Sequence, residues 1–424
     1  MKINGEQDAN YFVADLKSFY ASVECIERGL DPFKTNLVVA DPDRSQGTIC
    51  LAITPAMKAL GVKNRCRVYD IPPNIDYITA PPRMQLYIDY SAEIYGIYLK
   101  YFSKEDIHVY SIDESFVDCE PYKELYHMSA KEMGIQLIND IYKTTGITAT
   151  LGVGSNLYLA KVALDITAKH SADHVGLLTE DLFQKQLWNH KKITDFWRIG
   201  HGTEKKLQSM GILDMQGITQ MNEDTLYKIF GIDAELLIDH AWGRETTTMK
   251  DIKKYKPKET SLSSSQVLLR DYSFTEAELI VKEMLELLCL DLVEKGLITD
   301  SISLYIGYSH RYEIPGTKGS ISLMTPSSSP LSIRPQVVSL YQRITYRNVP
   351  IRNICISFNR LQDEVFQQYD LFTSPKDQEK ERNVQQAMID IKNRFGKNAV
   401  LKGMNLEAAG TTIQRNQQIG GHKK

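Results

Sequence analysis

The sequence predicts an α+β protein of several domains, and three observations carry that prediction. At 424 residues the chain has room for about two to four domains of roughly 150 residues each. From Asn10 to about Lys169, short apolar runs with strand character alternate with segments of helical periodicity. Beyond residue 264 the order becomes strand, helix, strand, strand, helix, strand, a pattern that folds as a four-stranded sheet with both helices on one face.

Each element has a local cause. Tyr11-Phe12-Val13-Ala14 is a continuous apolar run and reads as a buried strand ending at Asp15. The helix that follows carries Phe19, Val23 and Ile26 on one face and stops at Gly29. Strands at 37–40 and 48–53 lead into a short helix at 56–60 that Gly61 ends. Prolines 72, 73, 81 and 82 bracket another short strand, and a long helix runs from Met84 to Phe102. His108-Val109-Tyr110 and Phe116-Val117 form a hairpin with Asp113 and Glu114 at its tip. A helix at 130–143 and a strand at 148–153 follow. Gly152-Val153-Gly154 suggests a dinucleotide loop, but Leu157 stands where the third glycine should be, so that reading fails. Residues 173–243 read as all-helical. Residues 244–259 read as a linker, since they lack apolar periodicity. The six elements of the sheet domain fall at 264–269, 275–295, 301–308, 319–323, 334–346 and 351–358. A last helix carries Val384, Met388, Ile391 and Phe395 and ends at Gly396.

Bulk properties narrow the function. Hydrophobic content of 42% and charged content of 24% are those of an ordinary globular protein. The most apolar run, Met284–Val293, is interrupted by Glu286 and Asp291, so no membrane span is expected. MKINGEQDAN lacks the apolar centre of an export signal, and a cytoplasmic location is expected. Six cysteines without a CxxC pair suggest reduced thiols rather than a zinc site. His170 and His174 have zinc-like spacing but no second ligand pair, which favours surface histidines. A net charge of −3 is not that of a strongly basic nucleic-acid binder. Charge is nevertheless segregated: Met249 to Lys258 holds five lysines against one aspartate.

The acidic groups point to chemistry. Carboxylates rarely end a buried strand unless they are paired or bind metal. Asp15, Asp113 and Glu114 together would make the hard-oxygen cage that Mg²⁺ prefers, with substrate phosphates completing its octahedron. Either segment alone would be read as a helix cap or a turn. Together, SFYASVE (18–24), AMKALGVK (56–63) and SIDESFVD (111–118) resemble, almost residue for residue, the signature segments of Y-family translesion DNA polymerases, in particular the bacterial UmuC and UvrX branch. The chain is identified on these segments as a member of that family, with the resemblance running in order through most of its length.

The resemblance implies a right-hand polymerase: a palm from 1–18 and 79–172, small fingers at 19–78, a helix-hairpin-helix thumb at 173–243, the linker at 244–259, a βαββαβ little finger at 260–362, and a C-terminal tail from 363. It implies template-directed, low-fidelity translesion synthesis in DNA repair and the SOS response, with primer-template DNA and deoxynucleoside triphosphates as substrates. Asp15 and Asp113 would bridge two Mg²⁺ ions, Glu114 would hold one of them, and the carbonyl of Leu16 would add a ligand. Lys161 and Lys58 are the expected triphosphate contacts, with Thr54 assisting because Pro55 replaces the family's tyrosine. Tyr20, in the FY dipeptide, is the expected steric gate against ribonucleotides. Gly200, Gly202 and Thr203 resemble the phosphate-gripping turn of the thumb, where glycines allow close approach and a helix N-terminus faces the anion. Gln368-Tyr369-Asp370-Leu371-Phe372 looks like the bacterial sliding-clamp-binding peptide. The resemblance also leaves room for a UmuD-like or recombinase partner. Two alternatives are a non-catalytic DNA-binding accessory protein, against which the intact carboxylates argue, and another two-metal enzyme such as a nucleotide cyclase, against which the hairpin turn and the clamp-like peptide argue.

Overall fold

The computed structural model describes residues 7–44, 46–257, 260–365 and 374–424. Two compact units divide the chain, Met1–Tyr255 and Lys256–Lys424.

In the first unit, β1 (Tyr11–Leu16) leads into α1 (Phe19–Ile26). β2 (Leu37–Val39), β3 (Ala52–Ile53), α2 (Pro55–Ala59) and β4 (Ile78–Ala80) follow, and the three strands form a small sheet of their own in the order β3-β2-β4. After α3 (Met84–Tyr98) come β5 (Ile107–Val109), β6 (Glu114–Asp118), α4 (Lys123–Tyr126), α5 (Ala130–Thr145), β7 (Ala149–Gly154), α6 (Leu157–Val162) and β8 (Val175–Leu178). The five-stranded sheet runs β5-β6-β1-β7-β8. β1 is central and antiparallel to both neighbours, so Phe12, Val13 and Ala14 lie almost wholly out of solvent. The glycines of β7 allow α6 to lie directly on the strand. A Cβ at Gly152 would meet Ala160 O and Leu164 N at 2.3 Å, and one at Gly154 would meet Ala160 N at 2.2 Å. Their function is close packing, not dinucleotide binding.

Helices α7 (Glu180–Leu187), α8 (His201–Ser209), α9 (Met215–Gln220), α10 (Glu223–Phe230) and α11 (Asp233–Trp242) complete this unit with α12 (Met249–Lys254). Two expectations are corrected here. Residues 173–243 are not all helical, because Val175–Leu178 pairs in parallel with β7 as an edge strand. Nor is 244–259 an unstructured linker. Thr248 and Asp251 form a capping box, and the helix they start buries Met249 against Val13, Phe116 and Leu164.

The second unit has the expected order: β9 (Leu262–Tyr272), α13 (Phe274–Lys295), β10 (Leu297–Tyr308), β11 (Thr317–Ser327), α14 (Pro330–Ile344) and β12 (Ile351–Asn359). The sheet order is β11-β10-β12-β9, all antiparallel. Alternation puts Ile302, Ile306, Ile354, Ile356 and Phe358 under the helices, against Leu285 and Cys289 of α13. The opposite face carries Ser303, Tyr305, Lys318, Ser320, Cys355 and Ser357, a surface of hydroxyls more than of cations.

After β13 (Gln362–Asp363), the described residues from 374 onward are packed on the second unit. α15 (Pro375–Phe395) packs Ile389 and Met388 on Leu290 and Val293 of α13. The closing segment contains α16 (Thr412–Arg415) and a minimal hairpin, β14 (Gln418–Ile419) with β15 (His422–Lys423). It is anchored where buried Glu283 accepts hydrogen bonds from Asn405 Nδ2 at 2.9 Å and Thr411 N at 2.8 Å, and where Arg415 donates to Gln266 at 2.6 Å.

Candidate active site

The antiparallel register of β1 and β6 sets Asp15 directly opposite Glu114. Asp113 lies in the turn before β6, and its carbonyl accepts the Leu16 N–H at 2.9 Å, which fixes the turn to the end of β1. From the other side, Ser91 Oγ of α3 donates to Ile112 O at 2.6 Å. The three carboxylates are thus brought together by backbone pairing, with Leu16 as the last residue of its strand.

Electrostatics record the crowding. Burial, then Asp113, then Glu114 push the Asp15 carboxyl up to about 7. Burial likewise raises Glu114, although Lys161 works in the opposite direction. A carboxyl that resists ionising at neutral pH has too little positive charge around it. As the side chains stand, no three acidic, thiol or imidazole groups among the described residues converge tightly enough to form a finished metal cage. Their partners show why. Ser111 Oγ donates to Asp113 Oδ1 at 2.6 Å, and Lys161 Nζ donates to Glu114 Oε2 at 2.9 Å. Glu114 Oε1 lies 2.8 Å from the same nitrogen, so both carboxylate oxygens share the ammonium. Three carboxylates at one strand end are the kind of hard oxygen donors that a divalent cation takes.

Lys161 is ion-paired within the cluster. Its ammonium is buried between Glu114 and Asp165 Oδ2, the latter at 3.1 Å, and burial is outweighed by these anions, which raise its pKa. These pairs hold Glu114 in position. Thr54 lies inside the fold. Its hydroxyl is fully buried, donates to Thr35 O at 2.8 Å and caps α2 by accepting the Met57 N–H. Lys58 does face the cluster: burial lowers its pKa, and it feels Asp15 and Lys169.

Other cations, missed in the sequence, join Lys58. Lys17 is lowered to about 8, by burial and then by Lys58, while Asp15 opposes the shift. Lys169 is largely exposed and adds positive charge at Asp15. It follows Lys161 beyond a π-helical turn at Ala163–Thr167, which breaks the 3.6-residue period. Lys17 carried a usable signal, standing two residues beyond Asp15.

Tyr20 stacks on Tyr87 with ring centres 4.4 Å apart and planes 15° apart. Its pKa is raised by burial and by Asp113, while Arg65 opposes, so the ring borders both the acidic cluster and the rim. Tyr87 is itself held by fully buried Glu24, which accepts its hydroxyl at 2.7 Å and both Nε and Nη2 of Arg83 at 2.9 Å. Arg28 is a further partner of Glu24. Burial works to raise Glu24, but these hydrogen bonds hold its carboxyl below the usual range.

In the helical region, α8 begins with Gly200 as its N-cap, so Thr203 sits within the first turn and not before it. A Cβ at Gly200 or Gly202 would meet nothing within 4 Å, leaving both open to a ligand. Gln368, Asp370, Leu371 and Phe372 lie outside the described residues.

An acidic cluster at the paired ends of β1 and β6, backed by α3 and α5, on a chain whose second unit is a βαββαβ sheet, defines a polymerase palm with an appended domain. The chain belongs to the Y-family of DNA polymerases: the impB/mucB/samB family matches residues 14–165, and its C-terminal domain matches residues 259–371. It is 30% identical over 419 residues, 98% of this chain and 97% of the relative, to a Bacillus subtilis (strain 168) protein provisionally described as the UV-damage repair protein UvrX. It is 28% identical over 423 residues to DNA polymerase IV 2 of the same strain, covering 97% of this chain and 98% of that one. DNA polymerase IV of Pelotomaculum thermopropionicum is 27% identical over 405 residues, 95% of this chain and 97% of that one. A solved Y-family DNA polymerase chimera of Dbh and Dpo4 shares the fold with a TM-score of 0.66 at 20% identity, covering 83% of this chain and 99% of that one.

Proposed function

We propose that the chain is a template-directed DNA polymerase that adds deoxynucleotides to a primer 3′ end and is specialised for low-fidelity synthesis across damaged template. The observation that carries this reading is the meeting of Asp15, Asp113 and Glu114 at one strand end, with Lys17, Lys58 and Lys169 near enough to act on the cluster electrostatically. Carboxylates with cations nearby suit a substrate that brings phosphates and divalent metal together.

Asp15, Asp113, Glu114 and the Leu16 carbonyl are the groups that would hold two Mg²⁺ ions. When bound, the ions supply Lewis acidity at the attacking hydroxyl and at the leaving pyrophosphate. The chain's residues do the remaining work. Lys161 holds Glu114 in place through the bond described above. Lys58 and Lys169 offset charge that builds on the leaving group. Tyr20, braced by Tyr87, lies under the sugar and leaves no space for a 2′-hydroxyl. Gly200 and Gly202 let the start of α8 approach a backbone phosphate, and the segment around Leu371 and Phe372 docks a sliding clamp.

Primer extension with Mg²⁺ tests the reading. Asp113→Ala should lower the rate by roughly 10³-fold, a barrier increase of about 4 kcal/mol, while DNA binding persists. Near-normal extension by that variant would remove the catalytic assignment. DNA binding by the native chain without any extension would favour the accessory-protein reading.

A further inference from the structure

Cys50 and Cys66 do not stand near each other in the sequence, but the small sheet region brings them face to face. Residues 46–50 and 66–69 run antiparallel. Ile49 bridges Arg67, and Cys50 N–H donates to Cys66 O at 2.9 Å. Val68 N–H donates to Thr48 O at 3.1 Å and Tyr69 N–H to Gln46 O at 3.1 Å, so the pairing extends beyond one contact. The two cysteines are therefore directly cross-strand at a hydrogen-bonded position, where Cα atoms are about 5.5 Å apart and within the span of a disulfide. Their side chains share one apolar cluster with Ile53 and Met57, and the Cys50 thiol is within hydrogen-bonding reach of Cys66. Cys50 is fully buried, whereas Cys66 is half-buried and open to a small solute.

The pair closes the base of the covalent loop 51–65, which contains β3 and α2 and whose β3 packs on α1, the helix that carries Tyr20. The loop carries Lys58, which feels Asp15, and Arg65, which feels Tyr20. Arg65, immediately before Cys66, has φ 57°, in the left-handed region where a side chain is strained. The base of the loop is thus already held in a demanding conformation. A covalent tie there would shift the residues it presents to the site.

We propose that Cys50 and Cys66 are a modification site: a dithiol that a hydroperoxide converts to a reversible disulfide, closing the 51–65 loop and weakening nucleotide binding. In the first step the Cys66 sulfur displaces water from hydrogen peroxide and is oxidised to a sulfenic acid. In the second, the Cys50 sulfur attacks that sulfenic sulfur. The S–S bond forms, the S–O bond breaks, and the hydroxyl leaves as water with the Cys50 proton. A dithiol reductant reverses the change by thiol–disulfide exchange. The other cysteines are not so paired. Cys25, Cys119 and Cys289 are buried elsewhere in the fold, and Cys355 lies in the second unit.

The modification can be tested apart from the polymerase reading, on which only its effect on nucleotide binding rests. The full chain is treated with hydrogen peroxide under native conditions, alkylated and digested without reduction. The expected result is a peptide cross-linked between Cys50 and Cys66, a fall in free thiols from six to four, and full recovery with dithiothreitol. Cys66→Ser and Cys50→Ala should each abolish the cross-link without changing extension by the reduced protein. In steady-state extension the oxidised protein should show a several-fold higher nucleotide KM, with primer-template Kd unchanged, and neither variant should respond to peroxide. A cross-link between other cysteines, or over-oxidation of Cys66 without pairing, overturns the dithiol. A disulfide that leaves KM unchanged overturns its effect on the loop. If the reduced protein extends nothing, the polymerase reading fails while the mass result still decides the dithiol.

Discussion

Glu24 shows how one buried side chain can serve a function several residues away. It has no solvent exposure, yet it is ionised because Arg83, Arg28 and Tyr87 supply the hydrogen bonds that burial removes. The result is a fixed Tyr87 ring on which Tyr20 rests. Tyr20→Ala should therefore raise ribonucleotide insertion steeply and lower deoxynucleotide insertion only modestly. An aromatic pair contributes about 0.5–1.5 kcal/mol beyond area burial, so Tyr87→Ala should relax the same selectivity by roughly two- to tenfold. The measurement is the ratio of kcat/KM for deoxy- and ribonucleotide in each variant, and an unchanged ratio in Tyr20→Ala would mean that the gate lies elsewhere. At this scale the sequence was most informative where identity and spacing alone were decisive. The placement of Asp15, Asp113 and Glu114 at strand ends was legible because apolar runs flank them, whereas their roles and that of Tyr20 came from the family resemblance. The ion pairs of Lys161 were not legible, because a helical lysine reads the same whether its ammonium faces solvent or, as here, two carboxylates. The burial of Thr54 was not legible either, since a threonine before Pro55 reads equally as a cap and as a ligand.

The same distinction governs the elements. β8 was hidden because its four residues pair in parallel with β7, a partner distant in sequence, and carry no alternation of their own. α12 was hidden because six residues with Met249 and Ile252 as their apolar positions are too few to show a period. On α15 the helically spaced stripe through Val384, Met388, Ile391 and Phe395 is only partly the packed face: Met388 packs on α13, but Val384 is 51% and Phe395 67% exposed, while Gln385 and Ile389 are buried. Leu290 and Val293 of α13 select that face, which no pattern within α15 reveals. The joint between α6 and α11 yields a pH prediction. His240 of α11 stacks on Tyr158 of α6 at 3.8 Å, and its Nε2 meets Glu245 Oε2 at 3.1 Å. Burial opposes ionisation of Glu245, but His240 and Thr247 outweigh it and hold the carboxyl at about 2, against an ordinary 4.5. A depressed carboxyl stabilises the fold above its unfolded pKa, and that stabilisation is lost as pH falls through the folded value. Glu245 should thus contribute up to about 3 kcal/mol above pH 4.5, disappearing between pH 4.5 and about 2. Denaturant unfolding of native chain and Glu245→Gln across that range checks it: the two curves should differ most at neutral pH and converge in acid. A constant difference would show that Glu245 acts through packing alone.

Among the described residues between α1 and α3, the elements are β2, β3, β4, the five-residue α2 and a 3-10 turn at Val68–Asp70. On the proposed reading, these described residues hold no long helix to close over a nascent base pair and select by shape, and binding differences alone discriminate weakly. The expected outcome is synthesis across at least one bulky or abasic template site, with low fidelity on undamaged DNA. High fidelity combined with arrest at every lesion would contradict the translesion reading. If nucleotides are held as loosely as that reading implies, processivity falls to other contacts, of which the clamp-like peptide is the proposed one. From the sequence, residues 363–424 read as a C-terminal tail that carries this peptide and a helix. The second unit instead continues through α15, which packs on α13, and through the segment held by Glu283. The clamp-like peptide 368–372 is therefore bounded on both sides by folded chain: β13 precedes it and α15 follows it. A docking peptide tethered at both ends needs little intrinsic affinity. A micromolar contact, about −8 kcal/mol, suffices once both proteins share one DNA, because the second contact becomes intramolecular. Two large apolar side chains, Leu371 and Phe372, suit anchors for a pocket on such a partner. Replacing both with alanine should abolish clamp-stimulated processivity, measured as product length on singly primed circular template with the clamp loaded. Clamp-free extension and the midpoint of thermal unfolding should stay as in the native chain. Persistence of clamp stimulation would transfer the docking role to another surface, and the exposed Val384–Phe395 stripe of α15 is the next to mutate. A fall in thermal midpoint would instead show that Leu371 and Phe372 are packed within their own domain.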